Sequence, residues 1–129
     1  MTIKIIQKYQ KKSLPKLKKI AETHFNRFIR ERDMDDPCIS CGSYSLKQAG
    51  HFYSGGNFPS LKFNEKNVHG QCVKCNYYLS GNLLEYRKNL INKIGIDEVE
   101  KLDFLAQREK QTGYKWDKFF LIEIIEKYK

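Results

Sequence analysis

Residues 38–41 read CISC and residues 72–75 read CVKC. Two residues between paired thiols let both sulfur atoms reach one tetrahedral ion at about 2.3 Å, and two such pairs complete a four-thiolate site. A closed site of this kind holds a structure together and leaves no coordination position for a substrate. The pattern therefore predicts one structural Zn²⁺ per chain, bound by Cys38, Cys41, Cys72 and Cys75.

The length of 129 residues predicts a single domain whose modest core benefits from a bound metal. Within it we expect a basic arm and helix over residues 1–36, a zinc-bound core over 37–82 and helices over 83–129. No run approaches the ~20 apolar residues of a membrane span, and the first ten residues lack the pattern of a signal peptide. We therefore expect a cytoplasmic protein without a membrane partner, where reduced cysteines bind metal. An extracellular disulfide scaffold, the alternative, would need a signal sequence.

The chain is basic: 24 Lys and Arg face 15 Asp and Glu, a formal net charge of +9. Most of the excess lies before residue 33, and such a balance favours a polyanionic partner, nucleic acid above all. The alternative is a merely solvated basic face. The residues of this arm expected to contact DNA are Lys11, Lys12, Lys16, Lys19, Arg27 and Arg30.

Apolar residues at helical spacing predict helices over residues 14–32, 83–94, 97–110 and 118–129. The expected N-caps are Ser13 for the first, Ser80 or Asn82 for the second and Asp117 for the last, while Asp97 and Glu100 resemble a capping box. Gly95 and Gly113 are the expected ends of the middle two.

The segment between the cysteine pairs contains two strand-like stretches, residues 44–53 and 67–72, separated by a Gly- and Pro-containing loop. A short helix with Asn76 in its first turn follows Cys75. The tight turn at residues 38–42, which contains the first cysteine pair, is here called the knuckle. A knuckle followed by two strands and a helix that carries the second cysteine pair is the arrangement of a treble-clef zinc finger. We therefore predict an α+β fold with a small zinc-stapled treble-clef core, flanked by an N-terminal basic helix and C-terminal helices.

The strand-strand-helix part of a treble clef is also the core of the His-Asn-His nucleases, and the spacing here resembles theirs. That class typically places a histidine at the end of the first strand, an asparagine five residues before the third cysteine, and His or Asn directly after the fourth. His51, Asn67 and Asn76 occupy these positions.

The chain also resembles one family in particular, the NinG (Rap) recombination proteins of lambdoid phages, most densely from residue 25 to residue 100. The strings that carry the resemblance include CISCG at 38–42, AGHF at 49–52, PSLKFNE at 59–65, NVHGQC at 67–72 and LSGN at 79–82. The resemblance implies a phage or prophage protein that cleaves branched recombination intermediates, including Holliday junctions and D-loops. Other phage recombination proteins are expected partners, and symmetric cutting of a junction would suit a homodimer.

The nuclease resemblance implies a role for each site residue. His51 is expected to be the general base, and Asn76 to bind Mg²⁺ or another divalent ion through its side-chain oxygen. Asn67 is expected to hold the hairpin loop and so orient His51. Arg87 and His69 are expected to contact DNA.

The chain departs from the commonest nuclease pattern at Gly50, where a metal-binding Asp or His often stands. Two repairs stay open: His51 becomes the metal ligand and His69 the base, or the ion gains Glu65 or additional waters. The rival function is a non-catalytic, zinc-dependent DNA-binding accessory module in recombination. A weaker third is a protein-interaction adaptor.

Overall fold

A computed structural model describes all residues, 1–129. They group into two compact units, one of Met1–Phe28 with Lys115–Lys129 and one of Ile29–Tyr114. Helices, a two-stranded sheet and a four-cysteine cluster confirm a small α+β protein. The division at residues 36 and 82 stays a prediction, because compactness does not show which segments fold independently. No helix is long and apolar enough to cross a membrane.

The first unit consists of helices. It contains α1 (Ile3–Tyr9), most of α2 (Leu14–Arg32) and α5 (Lys118–Tyr128). The predicted caps of α2 and α5 are present: Ser13 Oγ accepts the Lys16 amide at 3.3 Å, and the Asp117 carboxylate accepts the Phe119 amide at 2.8 Å. The sequence did not predict α1.

An apolar stripe of α2 forms the core of this unit. Leu17, Ala21 and Phe25 are fully buried, at the i, i+4, i+8 spacing of one helix face. The Phe25 ring meets Tyr128 of α5 edge-on, with 5.0 Å between the ring centroids. This contact packs α2 against α5.

The second unit is built on a hairpin. Strands β1 (Lys47–His51) and β2 (Val68–Cys72) pair antiparallel, with Lys47 opposite Cys72 and His51 opposite Val68. The first strand is shorter than the predicted 44–53, because β2 ends at Cys72 and offers no partner to Tyr44 or Leu46. A 3₁₀ turn (Pro59–Leu61) lies in the loop between the strands.

Cys72 ends β2, and the π-helical turn that follows (Lys74–Tyr78) carries Cys75 and leads to α3 (Leu83–Ile94) and α4 (Ile96–Thr112). Asn82 is the N-cap residue of α3, as predicted, but it lies at a positive φ of 42° and its side chain makes no capping bond. The predicted capping box of α4 is wrong, because α4 begins one residue before Asp97 with Gly95 as its N-cap. The predicted ends hold: Gly95 follows α3 and Gly113 follows α4, each at positive φ.

The core of the second unit lies between the hairpin, α3 and α4. Its buried members are Ile39, Phe52, Leu61, Tyr86, Leu90, Val99, Leu102 and Ala106. Burying a side chain of this size stabilises the fold by about 1.5–3 kcal/mol. The Tyr86 hydroxyl donates to the Gly50 carbonyl at 2.7 Å, so the core also fixes β1 beside His51.

An ion pair ties the last turn of α2 to β2. The buried Asp33 carboxylate accepts from Arg32 Nε at 2.8 Å, from Arg32 Nη2 at 2.9 Å and from the Gly70 amide at 2.7 Å. Arg32 also donates to the Val68 carbonyl at 2.7 Å. Burial acts to raise the pKa of Asp33, but the bonds from Arg32 and Gly70 outweigh it and hold the pKa at about 2.

Replacing Asp33 by asparagine is expected to lower the free energy of unfolding by about 2–3 kcal/mol, because the charge is removed from three hydrogen bonds in a buried site. Chemical denaturation of the zinc-loaded protein at pH 7 measures this. The matched control is Asp36→Asn, whose half-exposed carboxylate pairs with Lys93 at 3.4 Å and should cost less than about 0.5 kcal/mol. If the two variants were equally stable, the hydrogen bonds of Asp33 to Arg32 and Gly70 would not stabilise the fold.

Candidate metal centre and the cavity at His51

The four cysteines form one cluster. Their sulfur atoms all lie within 4.8 Å of one another, and Cys41 Sγ is 3.7 Å from Cys72 Sγ. A tetrahedral ion with Zn–S bonds of about 2.3 Å sets its sulfur ligands about 3.8 Å apart. The cluster therefore has the ligand type, number and spacing to hold a zinc ion.

The surroundings of the sulfur atoms suit thiolates bound to a cation. The Cys72 amide donates to Cys38 Sγ at 3.3 Å, and the Asn82 side chain donates to Cys75 Sγ at 3.5 Å. A hydrogen bond with Ser43 lowers the pKa of Cys41 to about 6, whereas burial raises the pKa of Cys75 to about 12. A thiolate at Cys75 therefore needs a nearby positive charge, which a zinc ion supplies.

Asn67 is fully buried and braces the hairpin loop. Its side-chain oxygen accepts the Tyr53 amide at 2.9 Å, and its nitrogen donates to the carbonyls of Tyr53 at 2.9 Å and Leu61 at 3.0 Å. Three hydrogen bonds from one side chain fix the backbone on both sides of the loop. The residues directly after His51 are held in this way.

His51 is half-buried at the end of β1. Its Nε2 lies 2.9 Å from the Lys62 carbonyl oxygen. Because a carbonyl oxygen only accepts, Nε2 carries the proton and Nδ1 is the basic nitrogen of the neutral ring. The loop therefore fixes the orientation and the tautomer of His51.

A cavity of about 540 Å³ opens beside His51. Arg87 lies at its wall, where its guanidinium pairs with Asp103 at 2.7 and 2.9 Å and sits 5.9 Å from the centre of the Phe52 ring. The structure thus brings two predicted site residues, His51 and Arg87, to one cavity. Its lining residues are His51, Phe52, Tyr53, Ser54, Asn57, Phe58, Ser80, Leu83, Leu84 and Arg87.

Asn76 is not part of this cavity. Its side-chain nitrogen donates to Gln48 Oε1 at 2.8 Å. Side chains alternate along a strand, so Gln48 and His51, three residues apart in β1, leave it on opposite faces. The lining also contains no Asp or Glu, so neither Glu65 nor another carboxylate is present there. The residues around His51 therefore do not fit a Mg²⁺ ion held mainly by protein ligands.

Gln71 occupies the space beside Gly50. A Cβ at position 50 would lie 2.7 Å from Gln71 Cβ and 2.9 Å from its Cδ, and would overlap its Oε1. The buried Gln71 is held there because its Nε2 donates to the Gly81 carbonyl at 2.6 Å and to Ser40 Oγ at 2.8 Å. The Asp or His of the commoner nuclease pattern is thereby sterically excluded. This role of Gln71 was not predicted from the sequence, where the one signal for it is the glycine at position 50.

His69 is only 2% exposed. Its Nδ1 lies 3.4 Å from the Tyr86 hydroxyl, and burial lowers the pKa of the imidazole to about 3. The ring is therefore neutral at pH 7 and closed to solvent. Because this part of β2 is buried on both faces, the structure argues against the predicted roles of His69 in DNA contact and as the base, which stay predictions.

The predicted DNA contacts of the N-terminal arm are mostly exposed, and all but Arg30 lie in the first unit. Arg27 differs, since its guanidinium donates to the Tyr128 carbonyl at 3.3 Å and lies 3.1 Å from His24 Nδ1. It is therefore partly engaged within its own unit. The exposed members are Lys11, Lys16, Lys19 and Arg30, and Lys12 is partly buried.

Comparison with known proteins gives a family match. A family model described as Bacteriophage Lambda NinG protein matches residues 2–129. Proteins named Protein ninG from Escherichia phage lambda, Escherichia phage 933W and Salmonella phage P22 are each 47% identical over 96 residues, which is 73% of this chain. That segment is 47–48% of each relative, so the chain spans about half the length of the curated relatives it matches. No solved structure gives a significant match.

Metal analysis of the purified protein is expected to find one zinc per chain, and Cys72→Ser should lose the ion and unfold the 29–114 unit. Structural zinc contributes about 10–16 kcal/mol in small zinc modules, as much as the whole stability of a typical domain. Circular dichroism measures the unfolding. The control is Ser45→Ala, close in sequence to the cysteines, which removes no sulfur ligand and should keep the ion and the fold. A fully folded metal-free protein would refute the zinc assignment.

Gly50→Ala is expected to cost about 2–3 kcal/mol of unfolding free energy, since the new methyl group overlaps the Gln71 side chain. Gly56→Ala is the control, because an added Cβ there meets nothing within 4 Å and the change should stay within about 0.5 kcal/mol. Urea denaturation at fixed zinc concentration compares them. A Gly50→Ala protein as stable as Gly56→Ala would show that Gln71 does not fill this space.

Proposed function

The chain belongs to the bacteriophage lambda NinG family, and from that premise we propose that it is a structure-specific endonuclease that cleaves branched DNA such as Holliday junctions and D-loops. The observation that carries the proposal is His51, held in one tautomer by the Lys62 carbonyl at the wall of a cavity that Arg87 also lines. The cysteine cluster would hold this hairpin as a structural zinc site.

In the proposed reaction, His51 Nδ1 takes a proton from a water molecule, which attacks the phosphorus in line with the departing oxygen. Arg87 supplies positive charge beside the phosphate, and the Ser80 hydroxyl can donate to its oxygens. The products would carry a 5′-phosphate and a 3′-hydroxyl.

A divalent ion, Mg²⁺ or another, is part of the proposal. When bound, it stabilises the charge of the phosphate and of the departing alkoxide. Since the cavity offers no carboxylate, DNA phosphates and water would supply most of its ligands, which is common for Mg²⁺. Asn76 is the protein ligand that the nuclease resemblance suggests, and its contact with Gln48 argues against an ion shared with His51.

We also propose that the core is a treble clef of the His-Asn-His type. The order knuckle, β1, β2 and π-helical turn supports this, as does the loop brace at Asn67. The positive φ of 78° at Gly42 gives the tight turn that a zinc knuckle needs.

DNA binding in this proposal rests on charge. The exposed lysines of the arm would contact phosphates without reading sequence, so affinity should fall steeply as salt rises. A homodimer would match the two-fold symmetry of a four-way junction. Other phage recombination proteins remain proposed partners.

A non-catalytic DNA-binding module is the second candidate. The separation of Asn76 from the His51 cavity and the exclusion of a ligand at Gly50 favour it. It predicts tight junction binding without cleavage under any divalent ion.

Incubating the zinc-loaded protein with a synthetic four-way junction and Mg²⁺ distinguishes the two. We expect strand cleavage, and a loss of at least about 100-fold in rate for His51→Ala, as is typical for removal of a general base. His24→Ala is the control, because His24 lies in the other unit and contacts Arg27. Absence of cutting, or equal cutting by His51→Ala, would contradict the endonuclease proposal. Tight junction binding without any cutting would support the non-catalytic DNA-binding module.

A further inference from the structure

We propose that the cavity beside His51 binds one unpaired nucleotide of the DNA branch point. This inference rests on the proposed function and deepens it, since it states which part of the substrate is recognised. The volume of about 540 Å³ lies within the range of about 300–1,000 Å³ found for small-molecule sites. A single nucleotide has that size, whereas an intact base pair within a stack cannot enter a cavity.

The chemistry of the lining matches a nucleotide. Phe58, Leu83 and Leu84 give an apolar wall for the faces of a base, and Ser80 and Asn57 give hydrogen-bonding groups. Aromatic and apolar side chains bind any base, because every base has a π face.

Positive charge stands next to the apolar wall. Lys110 Nζ lies 5.6 Å from the centre of the Phe58 ring, and Arg87 lies over Phe52 on another side of the cavity. No Asp or Glu is among the lining residues, although Asp103 pairs with the Arg87 guanidinium and accepts from the Tyr53 hydroxyl, and so offsets part of the Arg87 charge. An apolar wall flanked by cations is complementary to a base attached to its phosphate, and less so to a purely apolar protein segment.

The mouth of the cavity is an unpartnered apolar surface. Leu84 is 88% exposed and Leu83 is 47% exposed, although both line the cavity. A second copy of the chain could in principle cover this surface. The charged and hydrogen-bonding groups inside the cavity favour a nucleotide as the occupant.

This pocket would explain preference for branched DNA. Extracting a base from a duplex costs a few kcal/mol, and the cost is least where the base is already unpaired. The base pairs at the centre of an open junction lack a stacking neighbour on one face, so a base leaves its pair there at lower cost than inside a duplex. A nucleotide seated beside His51 would also place the adjacent phosphate at the base that is proposed to activate water.

The test uses the zinc-loaded full chain without divalent ions, so that nothing is cut. The probes are a four-way junction with 2-aminopurine at the branch point and a fully paired duplex with the same base inside. We expect the fluorescence of the junction probe to change on binding through stacking in the cavity, and that of the duplex probe to stay constant.

Two substitutions in the lining of the cavity test whether the nucleotide binds there. Phe58→Ala should weaken junction binding about tenfold, which corresponds to about 1.4 kcal/mol. Leu84→Ser should weaken it about threefold without risk to the core, and both should leave duplex binding within about twofold. The controls are Phe104→Ala, exposed on α4, and Leu46→Ser, which is 92% exposed and does not line the cavity.

The outcomes separate this inference from the proposed function. An unchanged fluorescence signal, or wild-type junction binding by both variants, overturns the pocket even if the protein cuts junctions. A fluorescence change that both variants abolish supports the pocket even if no cutting occurs. A dimer that Leu84→Ser converts to a monomer, measured by sedimentation, overturns it in favour of a second copy at this surface.

Discussion

Four cysteine sulfur atoms within 4.8 Å of one another impose the constraint on which the second unit depends. Thiolates repel one another, and burial disfavours the charge on Cys75, so the cluster is stable as a set of anions only around a cation. The cluster joins two segments far apart in sequence, the knuckle before β1 and the turn after β2. A bound metal ion would thereby fix both ends of a hairpin too short to be stable alone.

Three side chains extend this constraint to His51. Asp33 holds the Gly70 amide on β2, Asn67 ties together the loop between the strands, and Gln71 links the knuckle to the start of α3. Each is buried, and each satisfies backbone groups that would otherwise be left unpaired at a cost of about 1–3 kcal/mol. The histidine therefore stands on a rigid hairpin, as preorganised chemistry requires.

Local signals predicted much of this fold. Cysteine spacing located the metal cluster, glycines marked the ends of α3 and α4, and Ser13 and Asp117 marked the starts of α2 and α5. The failures come from contacts between distant residues. The burial of His69 and the position of Gln71 over Gly50 depend on which face of the hairpin is covered. Likewise, the separation of Asn76 from the His51 cavity depends on the contact between Asn76 and Gln48, on the other face of β1, which residue spacing does not reveal.

The central claim is that a zinc-bound hairpin would hold His51 with its proton on Nε2, so that Nδ1 is the ring nitrogen that can accept a proton. A long-range ¹H–¹⁵N spectrum of the histidine rings tests this most directly, with zinc and after its removal by a chelator. The account predicts a His51 ring protonated on Nε2 in the zinc-loaded protein and loss of that single state without zinc. A ring protonated on Nδ1, or a His51 signal unchanged by zinc removal, would contradict it.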